Sequence, residues 1–575
     1  MAHSSRWESK PVRTPRPMRV ICIGAGASGL LLAYKLQRSF EAFSLVLYEK
    51  NPDIGGTWFE NRYPGCACDI PAHTYTWSFE PKNDWSSVYA SSKEIHEYFS
   101  NFSTKYGLRK YCRTNHEVTG AFWANERGGW DVHVHDLKSN ETHVDYCDIL
   151  INASGVLNNW MWPAIPGLET FRGPKLHSAA WNPEVELQGK HVGLIGNGSS
   201  GIQILPAILP VVKKLTTFIR EPSWVSPVQG LENRAFTDQE KADFGSSPEK
   251  LLDYRKEIEH ALNSQFALFK TGSSVQKETR EYMEGQMRAK LRNPSLAKLL
   301  IPSWSVGCRR LTPGVNYLES LSADTVTVVY GEISQITPTA CVCSDGKEYP
   351  IDVLVCATGF NTSFKPRFPL IGPTGRNLRD EWAEEPAAYL GVAAAGYPNY
   401  FMFLGPNCPV GNGPVLIAIE TQADYMLQML DRWQTENIHS FSPKEAAVRD
   451  FVAHKDAFMQ GTVWSEECRS WYKSGPTSNK VSALWPGSTL HYLEAMATVR
   501  GDDWDIEYKG NRFSWLGNGL SQTEVDDTAD LAYYIRNHDD GPILSSYKRL
   551  KLLNKSGCGV KRKAANIMLQ SKPNL

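Results

Sequence analysis

Residues 18–50 read MRVICIGAGASGLLLAYKLQRSFEAFSLVLYEK. An apolar, β-rich run from Val20 to Ile23 meets Gly24, Gly26 and Gly29, and a 3.6-residue apolar pattern follows. A second strand-like run then ends at Glu49, twenty residues beyond Gly29. Each glycine has a physical task. The first closes a tight turn, the second lets backbone approach a pyrophosphate, and the third lets the helix pack closely on the strand. The helix N-terminus supplies an anion site, and Glu49 is placed to accept a hydrogen bond from a ribose hydroxyl. Strand, turn, helix, spacing and terminal acid agree, so the segment reads as a dinucleotide-binding βαβ unit.

The same logic recurs in residues 190–221, KHVGLIGNGSSGIQILPAILPVVKKLTTFIRE, with Gly196, Gly198 and Gly201 between strand and helix. Its second strand ends in Arg220-Glu221 rather than in a lone acid. An arginine there suits a 2′-phosphate and favours NADPH over NADH, while Glu221 pulls the other way. The alternative is that Arg220 only pairs with Glu221 at the surface. Two further segments, DILINASGVL (148–157) and DVLVCATGF (352–360), each read as an acidic lead, an apolar strand and a small-residue turn. Such turns let backbone come close to a cofactor. One follows each glycine loop. The expected fold class is therefore α/β, with two Rossmann-type domains, a discontinuous flavin domain interrupted by a nicotinamide domain.

The bulk numbers fit this frame. At 575 residues, 42% hydrophobic, 21% charged and with a net charge of −1, the chain reads as an ordinary multidomain globular protein. That balance argues against a nucleic-acid surface. No apolar run is long enough to span a membrane. The basic, Pro-rich residues 1–17 read as a flexible arm without the apolar stretch of a secretory signal, and residues 546–575 as a solvated basic tail. The 12 cysteines are scattered rather than spaced as a disulfide framework. They read as reduced, mostly buried small hydrophobes, with the cytosol as compartment. Cys66 and Cys68 lack a second pair or helical His partners, so no metal site is expected.

Two-Rossmann flavoproteins that reduce disulfides need a redox cysteine pair beside the flavin. Here Trp58 stands where the first such cysteine would be, and Cys66 and Cys68 are too close together in sequence. Hydride delivered to the flavin must then go elsewhere, and oxygen is the obvious acceptor. GGTWFENRYPGCACDIPAHTYTWSF (55–79), FRGPKLHSAAWNP (171–183), GNGSSG (196–201) and CATGF (356–360), in that order, resemble the Baeyer–Villiger monooxygenases, flavin enzymes using FAD and NADPH. The resemblance runs from about residue 18 to about 540. The family fingerprint, FxGxxxHxxxW followed by Pro or Asp, is matched by Phe171, Gly173, His177 and Trp181. Asn182 departs from its last place, and Pro183 follows one residue later.

The resemblance implies that the fingerprint lies on a linker between the two domains and that His177 helps control their geometry without touching substrate. In SVGCRRLTPGVNYLESL (305–321) it makes Arg310 the catalytic arginine over the flavin and Arg309, in place of the family's Lys, the residue approaching the NADPH phosphate. Asp69 takes the place of the acid that pairs with that arginine. The implied FAD site comprises Gly24, Gly26, Ser28, Gly29, Glu49, Lys50, Gly56, Thr57, Trp58, Asp69 and Tyr75. The implied NADPH site comprises Gly196, Gly198, Ser199, Ser200, Gly201, Arg220, Arg309 and Trp471. Around Trp471, the sequence SNKVSALWPGSTLHYLEAM (478–496) replaces the family's usual GANIPGK.

The implied activity is insertion of one oxygen atom of O2 beside a ketone carbonyl to give an ester or lactone, through a flavin peroxide and a tetrahedral Criegee intermediate, with sulfoxidation alongside. An N- or S-oxygenating flavin monooxygenase and an uncoupled flavin NADPH oxidase are the alternatives. The implied partners are a small ketone or sulfide and O2, and the oligomeric state stays open.

The expected order along the chain is a flavin domain at 18–165, the fingerprint linker at 166–185, a nicotinamide domain at 186–345 and the rest of the flavin domain at 346–545. A helical insertion, opened by the capping box TDQE (237–240), is expected at about 236–300, over the active site. The loop at 405–414, before a long amphipathic helix, is expected to bring Pro409 to Asn412 toward the pocket.

Overall fold

The computed structural model describes residues 9–226, 230–474 and 480–553. Two five-stranded parallel sheets organise it. In the first, Met18–Ile23 lies between Phe43–Glu49 and Ile149–Asn152, and Cys112–Thr114 extends the Phe43–Glu49 side. The outer strand beyond Ile149–Asn152 is Tyr400–Met402. A sheet whose strands come from both ends of the chain makes this unit discontinuous. Val20, Ile21 and Cys22 are fully buried, as expected where helices or a second layer cover both faces of a parallel sheet.

The second sheet runs Val326–Tyr330, Lys214–Ile219, His191–Ile195, Val353–Cys356, Lys175–His177, again all parallel. This corrects two expected boundaries. The strand Val353–Cys356, within the residues expected to complete the flavin domain, pairs with His191–Ile195 inside the second sheet. The fingerprint segment is likewise more than a linker, because Lys175–His177 is that sheet's edge strand. An apolar strand with an acidic lead reads identically whichever sheet receives it. Pairing across more than 150 residues decides, and no local pattern encodes it.

Residues 236–300 carry the helices Asp238–Ser246, Pro248–Asn263, Ser274–Leu291 and Pro294–Leu300. Thr237 and Glu240 make the reciprocal capping box that opens the first. The insertion is tied to the first unit by Arg255, whose guanidinium donates to the carbonyls of His73 (3.0 Å), Trp77 (2.9 Å) and Ser78 (3.2 Å).

The N-terminal arm departs from expectation. The described part of the arm, residues 9–17, is docked rather than free. The Val12 amide donates to the Leu520 carbonyl and the Arg13 amide to that of Trp515, and the buried Arg16 guanidinium stacks 3.5 Å from the Trp433 ring. Within the basic tail, Ser546–Leu553 is helical. Residues 1–8 and 554–575 of these two segments lie outside the described residues. Among the described residues, no helix is long and apolar enough to cross a membrane.

Candidate active site

Both glycine loops have the geometry their sequence demands. Gly24 has φ +104°, and an added Cβ would lie 2.7 Å from the Ala153 carbonyl oxygen; at Gly29 it would lie 2.1 Å from the Gly24 carbonyl oxygen. Gly196 and Gly201 repeat this, with approaches of 2.5 Å to the Ala357 carbonyl and 2.1 Å to that of Gly196. The helices that follow, Ala27–Ser39 and Ser199–Ile208, start at Gly26 and Gly198 with no side-chain cap. Their first-turn N–H groups are thus left for an anion.

Around the first loop, Glu49 accepts from the Ala25 amide and from the amide and side chain of Asn51, all within 2.9 Å. Burial raises its pKa against those bonds. Lys50 pairs with Glu60 at 2.9 Å, and Ser28 is buried on the helix. Gly56 (φ +52°) faces Gly26 across the loop. Thr57 and Trp58 open a one-turn helix, from which the Trp58 indole N–H reaches the Tyr75 hydroxyl at 3.2 Å. In the second loop, Ser199 Oγ lies 3.3 Å from Thr312 Oγ1, and Ser200 sits beside the Tyr63 hydroxyl.

Asp69 and Arg310 meet across 241 residues. Nε and one terminal nitrogen of Arg310 donate to the two carboxylate oxygens of Asp69, each at 2.8 Å, and the other terminal nitrogen donates to the Val410 carbonyl at 2.9 Å. Burial opposes the guanidinium charge, but Asp69 more than offsets it, so the Arg310 pKa lies above the ordinary arginine value. The ring of the buried Tyr472 stands next to this pair. The 409–412 loop therefore reaches the site through its backbone at Val410. The buried Asn412 Oδ1 beside it has no hydrogen-bond partner.

The fingerprint residues cluster at the edge of the second sheet. Phe171 is buried in the core beneath it. A Cβ on Gly173 would lie 2.2 Å from the Asp352 carbonyl oxygen, so only glycine fits there. Trp181 packs, half-buried, on the larger core of the second unit. The His177 ring is stacked on Trp160 at 4.6 Å and met edge-on by Trp162. Its Nδ1 accepts from the Ala179 amide at 3.1 Å, and its Nε2 lies 3.3 Å from Thr358 Oγ1. Accepting at Nδ1 leaves the proton on Nε2, which donates to Thr358. Burial lowers the pKa to about 4. His177 is thus a neutral tie between the fingerprint and the CATGF turn. Trp160 falls in none of the sequence motifs, because aromatic stacking partners carry no local signature.

The cationic residues near the second loop are paired differently from the simplest reading. Arg220 lies 3.8 Å from Glu332, not against Glu221. Glu221 is instead bound by Arg309, which also donates to the Pro222 carbonyl at 3.1 Å and leaves its buried Nε without a partner. Trp471 lies 4.8 Å from Tyr472, in a loop fastened to the segment between helices Pro294–Leu300 and Tyr317–Ser320 that carries Arg309 and Arg310. Glu466 of that loop accepts from the amide and hydroxyl of Ser305, at 2.9 and 2.7 Å. Cys308 and Cys468 form a disulfide. This corrects the reading of all cysteines as reduced: a pair 160 residues apart carries no spacing signal. The other nine described cysteines are free.

Comparison with known proteins fits this geometry. Residues 22–92 match the model of the NAD(P)-binding Rossmann-like domain. The chain is 42% identical to an FAD-binding monooxygenase of Aspergillus terreus over 92% of its length and 96% of the relative's. It is 32% identical to a Baeyer-Villiger monooxygenase of Streptomyces coelicolor over 89% of its own length and 96% of the relative's. Among solved structures, cyclohexanone monooxygenase from Rhodococcus sp. Phi1 bound to NADP+ superposes with a TM-score of 0.75 at 26% identity. The match covers 86% of this chain and all of that one.

The residues of this chain fit FAD and a nicotinamide dinucleotide. Two uncapped helix N-termini, each behind a glycine loop that only backbone can approach closely, suit two pyrophosphates. The orphaned Arg309 Nε suits a further anion. With its two Rossmann-type sheets, one of them discontinuous, the chain belongs to the Baeyer–Villiger monooxygenase family of FAD-binding monooxygenases.

Proposed function

We propose that the enzyme inserts one oxygen atom of O2 beside the carbonyl of a ketone to give an ester or lactone, and oxygenates sulfides as well. The observation that carries this reading is the Asp69–Arg310 pair, a bidentate, part-buried guanidinium clamped by a third bond to Val410. Between them the bound cofactors supply a hydride and an activated oxygen atom. Arg310 then holds fixed positive charge where negative charge grows on the substrate's carbonyl oxygen. It cannot readily give up its proton, so it stabilises that charge without quenching it. Asp69 orients the guanidinium and offsets its desolvation.

Arg220 and Arg309 would hold the 2′-phosphate of NADPH, with Glu221 as the internal anion that pairs with Arg309. Trp471 shields the nicotinamide side of the site. His177 acts on geometry, not chemistry. Neutral and buried, it ties the edge strand Lys175–His177 to Thr358, and so couples the second sheet to the turn between the two units. The helical insertion and the 409–412 loop exclude water and shape the substrate side.

The test supplies the FAD-loaded enzyme with NADPH, O2 and a mixed panel of ketones, sulfides and amines. Esters or lactones forming in step with NADPH consumption support the proposal. Oxygen found only on nitrogen or sulfur makes it an N- or S-oxygenating flavin monooxygenase instead. Peroxide as the sole product across the panel makes it an NADPH oxidase.

A further inference from the structure

Three arginines converge on one place from three distant segments. Arg220 ends the second strand of the nicotinamide unit, and its neighbour Glu221 binds Arg309. Cys308, next to Arg309, is bonded to Cys468, with the two Cα atoms 6.4 Å apart, and Arg469 follows. Strand end, ion pair and disulfide thus form a continuous ladder with a guanidinium on each rung.

The charge on this ladder is unbalanced. Arg469 makes no hydrogen bond or ion pair among the described residues. Arg220 has only the long contact with Glu332, itself a largely exposed side chain. Arg309 has one carboxylate partner and a buried Nε with none. After burial, the positive charge of Arg469 further lowers the pKa of Arg220, and it acts on Arg309 in the same direction. Of the carboxylates nearby, Glu466 is held by Ser305. Guanidinium groups brought together with few carboxylates in contact favour an anion that several forks can share. The backbone around Arg469 is held by the disulfide, by the Glu466–Ser305 bonds and by Lys473, which donates to the Cys468 carbonyl at 3.1 Å.

We propose that Arg469 is a third ligand of the NADPH 2′-phosphate and that the Cys308–Cys468 bond holds it in place. This rests on the reading of Arg220 and Arg309 as phosphate-facing residues. The nicotinamide specificity of this chain would then depend on a loop outside the Rossmann sheet. The same disulfide that fixes Arg469 also fixes the segment carrying Arg310, so phosphate binding and the catalytic arginine share one anchor.

The test is calorimetric binding of adenosine 2′,5′-bisphosphate and of 5′-ADP, which lacks the 2′-phosphate, to the FAD-loaded enzyme. Arg469→Ala should weaken the bisphosphate about tenfold, the worth of one charge-assisted hydrogen bond. Binding of 5′-ADP, with retention of FAD, serves as the folding control. Arg469→Lys, which keeps the charge but not the fork, should recover part of the loss. Cys468→Ser should lose bisphosphate affinity to the level of Arg469→Ala, and combining the two should lose no more.

Equal bisphosphate affinity in wild type and Arg469→Ala would overturn the assignment. Full affinity in Cys468→Ser, or recovery of Cys308 and Cys468 as alkylated thiols from unreduced protein, would overturn the role of the disulfide. A wild-type enzyme that prefers 5′-ADP would instead sink the underlying reading of Arg220 and Arg309.

Discussion

Replacing Arg310 with alanine removes three hydrogen bonds at once, two to Asp69 at 2.8 Å and one to Val410 at 2.9 Å. Two separate losses follow. The first is catalytic. A preorganised donor aimed at charge that develops only during reaction is worth about 3 kcal/mol, or roughly a hundredfold in rate. Flavin reduction by NADPH does not develop that charge, so it should persist. The second loss is in stability. Removing one partner of a buried ion pair costs about 3–5 kcal/mol. The Arg310 and Asp69 side chains retain 27% and 15% of their exposure, so water shares the burden and about 2 kcal/mol is the better expectation.

The assay pairs anaerobic stopped-flow reduction by NADPH with product analysis in air, and a thermal melt monitors folding. Arg310→Ala should be reduced, consume NADPH, release hydrogen peroxide and form almost no ester. Asp69→Ala should lose ester formation to a smaller degree. In the double variant the stability cost should fall short of the sum, because the two residues share one interaction. Ester formation by Arg310→Ala within about threefold of wild type would refute the assignment of the guanidinium to oxygen insertion.

Other consequences are simpler to state. His73 and His177 both have pKa values lowered to about 4, chiefly by burial. Each therefore contributes stability that is complete above the unfolded value near 6.5 and is lost as pH falls from there toward 4. Melting temperature should drop across that window, and His73→Phe should flatten the drop; an unchanged pH profile in that variant would contradict the burial argument. Gly173→Ala forces a Cβ to 2.2 Å from the Asp352 carbonyl. It should cost about 2 kcal/mol or more in denaturant unfolding, whereas a neutral effect would mean the edge strand yields freely. Glu221→Gln removes the internal anion bound to Arg309 and should lower the KM for NADPH several-fold with little change for NADH; a rise for NADPH would show that Glu221 positions Arg309 rather than competing with phosphate.

Much of this enzyme was legible in its sequence, and the reason is local. Gly24, Gly29, Gly196 and Gly201 are dictated by steric contacts with residues on adjoining strands and turns, and Glu49 by its place at the end of a strand. Such constraints repeat wherever a dinucleotide meets a βαβ unit, so they leave a readable pattern. Asp69 and Arg310 could be named only through the family resemblance, since nothing in either segment alone reveals a partner 241 residues away.

The tertiary structure decided the rest. It drew Val353–Cys356 and Lys175–His177 into the second sheet, and it gave Glu221 to Arg309 instead of Arg220. It also left His177 neutral between Trp160 and Thr358, docked residues 9–17 against Trp433, and joined Cys308 to Cys468. Each of these depends on which surfaces meet once the chain is compact. Hydrophobic periodicity and glycine spacing specify the elements and their cofactor-facing turns, whereas burial and long-range pairing set the charge, tautomer and partner of each side chain within them.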